Sequence, residues 1–267
     1  MTGSFVAQPW FGRVMAPLGV GALILCVWQW ACVHFEVPHY LFPAPTAIGT
    51  AFLADWPVLL HGLWSTLRVT LMAFAAAVIV GTLVAFLFVQ SRLVELSLLP
   101  YAVLLQVTPI VAVAPLIIIL VKNTLVALTL CATVIAVFPI ISNTTIGLRS
   151  VDPGLLAYFR MNKAGRLATL WRLRIPGALP FFLAGLRISS GLALVGAVVA
   201  EFVAGTGGNS AGLAYEILQS SFQLDIPRMF AALFLITITG VLLFGAMVWL
   251  EQALLGRWHD SAAATER

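Results

Sequence analysis

The chain has 267 residues, 61% of them hydrophobic and only 9% charged, with a mean hydropathy of +1.05. Soluble domains carry about a quarter charged residues, so this surface is not built to face water. The net charge of +4 does not point to nucleic acid, because the basic residues alternate with long apolar runs and read as orientation in a bilayer.

A helix needs about 20 mostly apolar residues to cross the hydrocarbon core. Six stretches qualify: 14–33, 66–89, 98–121, 124–147, 183–205 and 228–250. The first is longer than the core of a signal peptide and is followed by further spans, so it is read as a retained helix. Within it, Cys26 follows Leu25, a residue too large to precede a lipoprotein cleavage site. With Cys32 and Cys131 the cysteines number three, each in an apolar run, and neither a disulfide framework nor a metal site is indicated.

The outer gap 34–65 carries Phe42, Pro43, Pro45, Trp56 and Trp64 and suits an interfacial helix, since tryptophan favours that depth. It either receives an external protein or only anchors the membrane surface. In the second span Ala73, Ala77, Gly81 and Ala85 recur every four residues, and in the fifth Ser189, Ala193 and Ala197 do the same beside Gly196, Ala200 and Ala204. Small residues let backbones approach in lipid, so both stripes are predicted packing faces.

The third span holds Pro109 and Pro115, with Gln106 and Thr108 just before the first. Proline kinks a helix and frees carbonyls. The polar pair beside it either lines a pathway or belongs to a bend that Thr108 itself satisfies.

The loop 148–182 has its own design. Asp152 and Pro153 read as a helix cap and first-turn proline. A short helix follows over Leu155 to Met161. A second is predicted from near Gly165, with Leu167, Leu170 and Trp171 on one side and Pro176 ending it. Orientation and contact with anionic headgroups would account for the positive charge, but not for two proline-bounded helices. The chain has no GxxxxGK[ST] phosphate loop, so a membrane bundle with such a knob and no energy source of its own suggests energy supplied by another subunit.

The segment Asp152–Ile188, DPGLLAYFRMNKAGRLATLWRLRIPGALPFFLAGLRI, resembles the signature loop of bacterial ABC-importer permeases. YLFPAPTAIGTAF at 40–52, FPIISNTTIGLRSVDP at 138–153 and GLALVGAVVAEFVAG at 191–205 resemble the nitrate/taurine/sulfonate branch, and LQVTPIVAVAPL with AEFVAG is closest in wording to permeases for pyrimidine thiamine-precursors or riboflavin. The likeness runs from residue 38 onward. It implies an all-α membrane protein of the type I ABC-importer permease kind: six transmembrane helices with a cytoplasmic helix–turn–helix coupling loop. The organisation is then an N-terminal helix and external loop (1–65), a permease core (66–250) with its coupling loop at 148–182, and a cytoplasmic tail (251–267).

The signature reads Glu-Ala-Ala, three residues, Gly, nine residues, Ile-x-Leu-Pro. Aligned on Pro176, its Glu falls on Ala157 and its Gly on Lys163; either Gly165 takes over as hinge or none is needed. By the resemblance, a helix from Arg160 to Thr169 would be the coupling helix. Arg160, Met161, Asn162, Lys163, Ala164, Gly165, Arg166, Leu167, Leu170 and Trp171 would dock into a cytoplasmic ATPase subunit, which would bind ATP and Mg; this chain would need no cofactor and be no enzyme. A second permease copy, as a homodimer, and an external solute-binding protein complete the implied assembly in the bacterial inner membrane.

With both termini cytoplasmic, 11 of the 14 lysines and arginines face inward: Arg13, Arg92, Arg149, Arg160, Lys163, Arg166, Arg172, Arg174, Arg187, Arg257 and Arg267. Charges inside spans cost about 2.5–3.5 kcal/mol at the centre. Arg187 lies near the inner end and can snorkel. Glu201 lies nearer the outer end, where it either faces the pathway, gates it, holds the dimer interface or bonds to the following turn. Asn143 is a further pathway or gate candidate beside Gln106, Thr108 and Pro109. An ion- or proton-coupled secondary transporter is the alternative, with Glu201 as its only mid-chain relay group. An intramembrane enzyme would want a nucleophile and base or a metal set; His34, His39, His61 and His259 all fall outside the predicted spans.

Overall fold

The computed structural model describes residues 9–38, 40–205, 207–208 and 211–256, with side chains from residue 15 onward. His39, Arg257, His259, Arg267 and the rest of the tail from 257, and the Arg13 side chain, lie outside the described residues. The described secondary structure is helical: α1 (Pro9–His34), α2 (Pro45–Ala54), α3 (Trp56–Gln90), α4 (Arg92–Val107), α5 (Ile110–Leu120), α6 (Thr124–Arg149), α7 (Pro153–Met161), α8 (Arg166–Thr169), a π turn (Leu170–Arg174), α9 (Ile175–Ala204), α10 (Leu213–Phe222) and α11 (Ile226–Leu255). Among the described residues, five helices are long and apolar enough to span a membrane, and the bent pair α4–α5 makes six when taken as one span.

Two compact units are present, one of residues 1–60 and 216–234, the other of 61–215 and 235–267. In the first, Trp28 of α1 packs its ring on Phe42, Phe230 and Phe234, at centroid distances of 5.1, 6.1 and 6.2 Å. Gln29 accepts a hydrogen bond from the Thr46 amide (3.1 Å), tying α1 to the start of α2. Arg228 at the head of α11 meets the buried Glu216 carboxylate at 2.6 Å, and Asp55 lies 3.9 Å from the same guanidinium. The predicted outer helix is α2, with Pro45 in its first turn.

The second unit is organised around α6 and α9. Every residue of the two predicted stripes that has a side chain is buried at the four-residue positions: Ala73, Ala77, Ala85, Ser189, Ala193 and Ala197. At Gly196 an added Cβ would stand 2.8 Å from Ala132 Cα, and at Gly81 it would stand 2.9 Å from Ile140 Cβ. Ser189 also donates to the Ala136 carbonyl at 2.7 Å. The backbones of α3, α6 and α9 meet closely because glycine, alanine and serine stand at these contacts, which is how helices gain dispersion contact without a hydrophobic drive.

Three spans differ from the sequence-based expectation. The second begins at Trp56, not 66, because Pro57 starts the first turn and the Asp55 carbonyl accepts from Val58 and Leu59. His61 therefore lies inside a helix. The third is not one kinked helix: α4 and α5 meet at 100°. Thr108 is extended (ψ 123°), as a residue before proline prefers, and Pro109 is extended as well (ψ 105°), so two consecutive residues leave the helix. In the fifth, Pro176 does not end a separate helix. Proline has no N–H to continue the ladder, and the Ile175 amide instead reaches back five residues to Leu170, widening one turn so that helix continues from Arg166 to Ala204.

Candidate coupling loop and pathway residues

The loop is built as its sequence suggests at its start. The Asp152 carboxylate accepts from the amides of Gly154 (2.7 Å) and Leu155 (3.0 Å), satisfying two orphan donors of α7. At the other end of α7 the Ala164 amide bonds the Phe159 carbonyl and the Lys163 amide bonds the Arg160 carbonyl, both at 3.0 Å. That pair is a Schellman stop, and its turning residue sits in the left-handed region. The residue is Lys163, with φ 54°. Gly165, the expected replacement hinge, has φ −66° and merely precedes α8. The signature glycine thus has a physical reason at position 163, and this chain turns there with a Cβ in place, at roughly 1 kcal/mol.

A coupling helix from Arg160 to Thr169 is not what forms, because this stop divides it. Arg160 and Met161 close α7; Asn162, Lys163, Ala164 and Gly165 are turn; Arg166 opens α8. Met161, Leu167 and Trp171 stand 82%, 69% and 64% exposed, unusual for large apolar groups outside the lipid-facing spans. Leu170 does not share their face. It is half-buried and lines a cavity of about 350 Å³ together with Arg160, Arg166 and Arg174.

The pathway candidates do not converge. Gln106, Thr108 and Pro109 are exposed at the α4–α5 break, where the Thr108 hydroxyl donates to the Leu104 carbonyl at 2.6 Å. Asn143 is half-buried in α6 and donates to the Pro139 carbonyl at 2.8 Å. Glu201 is buried: its Oε2 accepts from the Thr66 hydroxyl (2.9 Å) and the Ala214 amide (3.3 Å), while Thr66 accepts from the Leu213 amide at 2.9 Å. A Cβ on Gly212 would collide with the carboxylate. A carboxylate against the first amides of α10 is favourably placed for the helix dipole. The carboxylate thus joins α9 to α3 and to the start of α10 within the chain.

Sequence reasoning missed the ion pairs. Glu95, buried, receives Arg149 through two hydrogen bonds of 2.6 and 2.7 Å and Arg92 at 2.7 Å, and Arg149 also reaches the Phe88 carbonyl. Only the Arg92–Glu95 spacing was visible in the chain; Arg149 lies far along it. Arg187 does not snorkel alone either, since Glu251 meets it at 3.0 Å.

The family model described as binding-protein-dependent transport system inner membrane component matches residues 77–256. The formylaminopyrimidine transport permease protein ThiX of Halalkalibacterium halodurans is 30% identical over 235 residues, covering 87% of this chain and 92% of that protein. The riboflavin transport system permease protein RibX of Chloroflexus aurantiacus is 34% identical over 247 residues, covering 90% and 88%. A solved amino acid ABC transporter with histidines shares the fold, with a TM-score of 0.63 at 19% identity over 78% of this chain and 97% of that one.

Proposed function

The chain belongs to the binding-protein-dependent transport system inner membrane components, and from that premise we propose that it carries a neutral heterocyclic solute inward under power from a cytoplasmic ATPase. As an ABC permease it is a multi-pass inner-membrane transport component rather than an enzyme. The solute is a pyrimidine thiamine-precursor or riboflavin, the compounds named for two of its relatives. Sulfonate, taurine and nitrate are the competing solutes, sulfonate and nitrate being named for other relatives. Two copies of the chain form the path, and an external binding protein delivers the solute. Both termini lie inside. ATP and Mg are held by the ATPase.

The observation that carries the coupling role is the exposed apolar set Met161, Leu167 and Trp171 on a capped, stopped knob. Such side chains in water are stabilised by burial at about 25 cal/mol per Å², and an ATPase groove supplies that burial. Glu201, enclosed by Thr66 and the α10 amides, is poorly suited to relay protons for a secondary transporter. The test is co-purification of the ATPase with the tagged chain and with a Leu167→Ser/Trp171→Ser variant. Capture by the wild type and loss from a folded variant is expected. Uptake of the heterocycle that persists without ATP but stops with an uncoupler would overturn the assignment.

A further inference from the structure

The cavity of about 350 Å³ beside the loop lies between the inner end of α3 and the turn that joins α7 to α8. Arg160, Arg166 and Arg174 converge on it, with Gln90 as a neutral donor and Leu156 and Leu170 as apolar wall. The three guanidiniums meet no carboxylate among the described residues. The contrast with the neighbouring charges is what makes this informative. Arg92 and Arg149 share Glu95, and Arg187 has Glu251, so this protein neutralises its inner-end arginines where it can.

We infer that this cavity is a binding site for the headgroup of an anionic phospholipid of the inner leaflet. Guanidinium is suited to a phosphate because its planar fork donates two parallel hydrogen bonds. Basic pockets between helices on the cytoplasmic side suit such headgroups, and a polybasic site gains from the negative surface of that leaflet. The apolar wall matches the glycerol and upper chains that follow the phosphate into the hydrocarbon, which a free anion does not need. The cavity lies beside the last turn of α3, Val89 and Gln90, where the apolar stretch 66–89 that is long enough to cross the hydrocarbon ends. Bound there, the lipid would bridge α3 to the coupling turn. The inference rests on the inward orientation proposed above, and the retention assay below tests lipid capture separately from it.

The test uses the purified complex of full-length chain and its partner subunits. It is reconstituted in nanodiscs of phosphatidylcholine with or without phosphatidylglycerol, then released and examined by native mass spectrometry. Wild type is expected to retain phosphatidylglycerol over phosphatidylcholine. Each Arg→Gln change at 160, 166 or 174 is expected to weaken retention roughly five-fold, and the triple change on the order of a hundredfold. A triple Arg→Lys variant keeps the charge but loses the paired donors, so its retention should fall between wild type and the triple Gln variant, and Arg68→Gln, on the opposite side, should keep all of it. Melting in pure phosphatidylcholine discs, expected to match wild type, shows that the triple Gln variant is folded; if it is not, the single Arg174→Gln variant decides. Unchanged retention in the folded Gln variants would overturn the proposal. So would full displacement by inorganic phosphate, which would make it a free-anion site. Retention seen only after the ATPase is stripped away would give the cavity to an acidic segment of that partner instead, and would also overturn it.

Discussion

Helices α1 and α6 are both apolar enough to cross a membrane, with hydropathies of 1.7 and 2.5, yet 6% of the one's apolar stretch is buried within the chain against 56% of the other's. The difference lies in side-chain size, not greasiness. On α1 the exposed positions are Leu23, Ile24, Val27 and Trp30, and the neighbourhood of Gly19 and Gly21 is open. On α6 the buried positions include Ala127, Cys131, Ala132, Ala136 and Gly147, each small enough to let another backbone in. Hydropathy puts a helix in lipid; the pattern of small residues decides whether it meets protein there.

The strongest way to break that contrast is Gly196→Leu. The new side chain would enter the space held by Ala132, and overpacking of about 3 kcal/mol is expected, seen as a large fall in the melting temperature of the detergent-solubilised chain. Smaller and opposite in sign, Lys163→Gly should stabilise the turn by about 1 kcal/mol, because the left-handed conformation costs glycine nothing. Amide hydrogen exchange at Lys163 and Ala164 checks it, with slower exchange expected. Ser189→Ala removes one interhelical hydrogen bond and should cost about 0.6 kcal/mol on the same melting assay. Gly21→Leu on α1 should shift the melt by less than about 0.5 kcal/mol. If Gly21→Leu proved as damaging as Gly196→Leu, size would not be the discriminating property.

Much of this architecture was legible in the chain because lipid imposes a simple code of length, apolarity and small-residue spacing. The stripe at 73, 77, 81 and 85 is periodic, and periodicity survives into the fold. The Asp152 cap is likewise local. What was not legible depends on two residues acting together. Proline at 109 predicts a kink, but a 100° break also needs Thr108 to leave the helix. Proline at 176 predicts an end, and a single five-residue bond from Ile175 to Leu170 undoes it. Of the candidate site residues, Met161, Leu167 and Trp171 are exposed, whereas Leu170 lines the arginine cavity and Glu201 is enclosed. Glu95 with Arg149 could not be paired in advance, since nothing in one neighbourhood names the other.

The widened turn at Leu170–Arg174 has a mechanical meaning. Because helix is not interrupted there, residues 166–204 form one strut, about 58 Å long at 1.5 Å per residue. One end carries Leu167 and Trp171, and the other carries Glu201, which accepts from the Ala214 amide of α10. A hinge at Pro176 would let the Leu167–Trp171 end swing freely and leave the Glu201 end still. Moving as one rod, it would displace one end by about 5 Å over that length when rotated by about 5° about the other. Leverage of that kind needs no flexible joint, only a proline kept inside the rod.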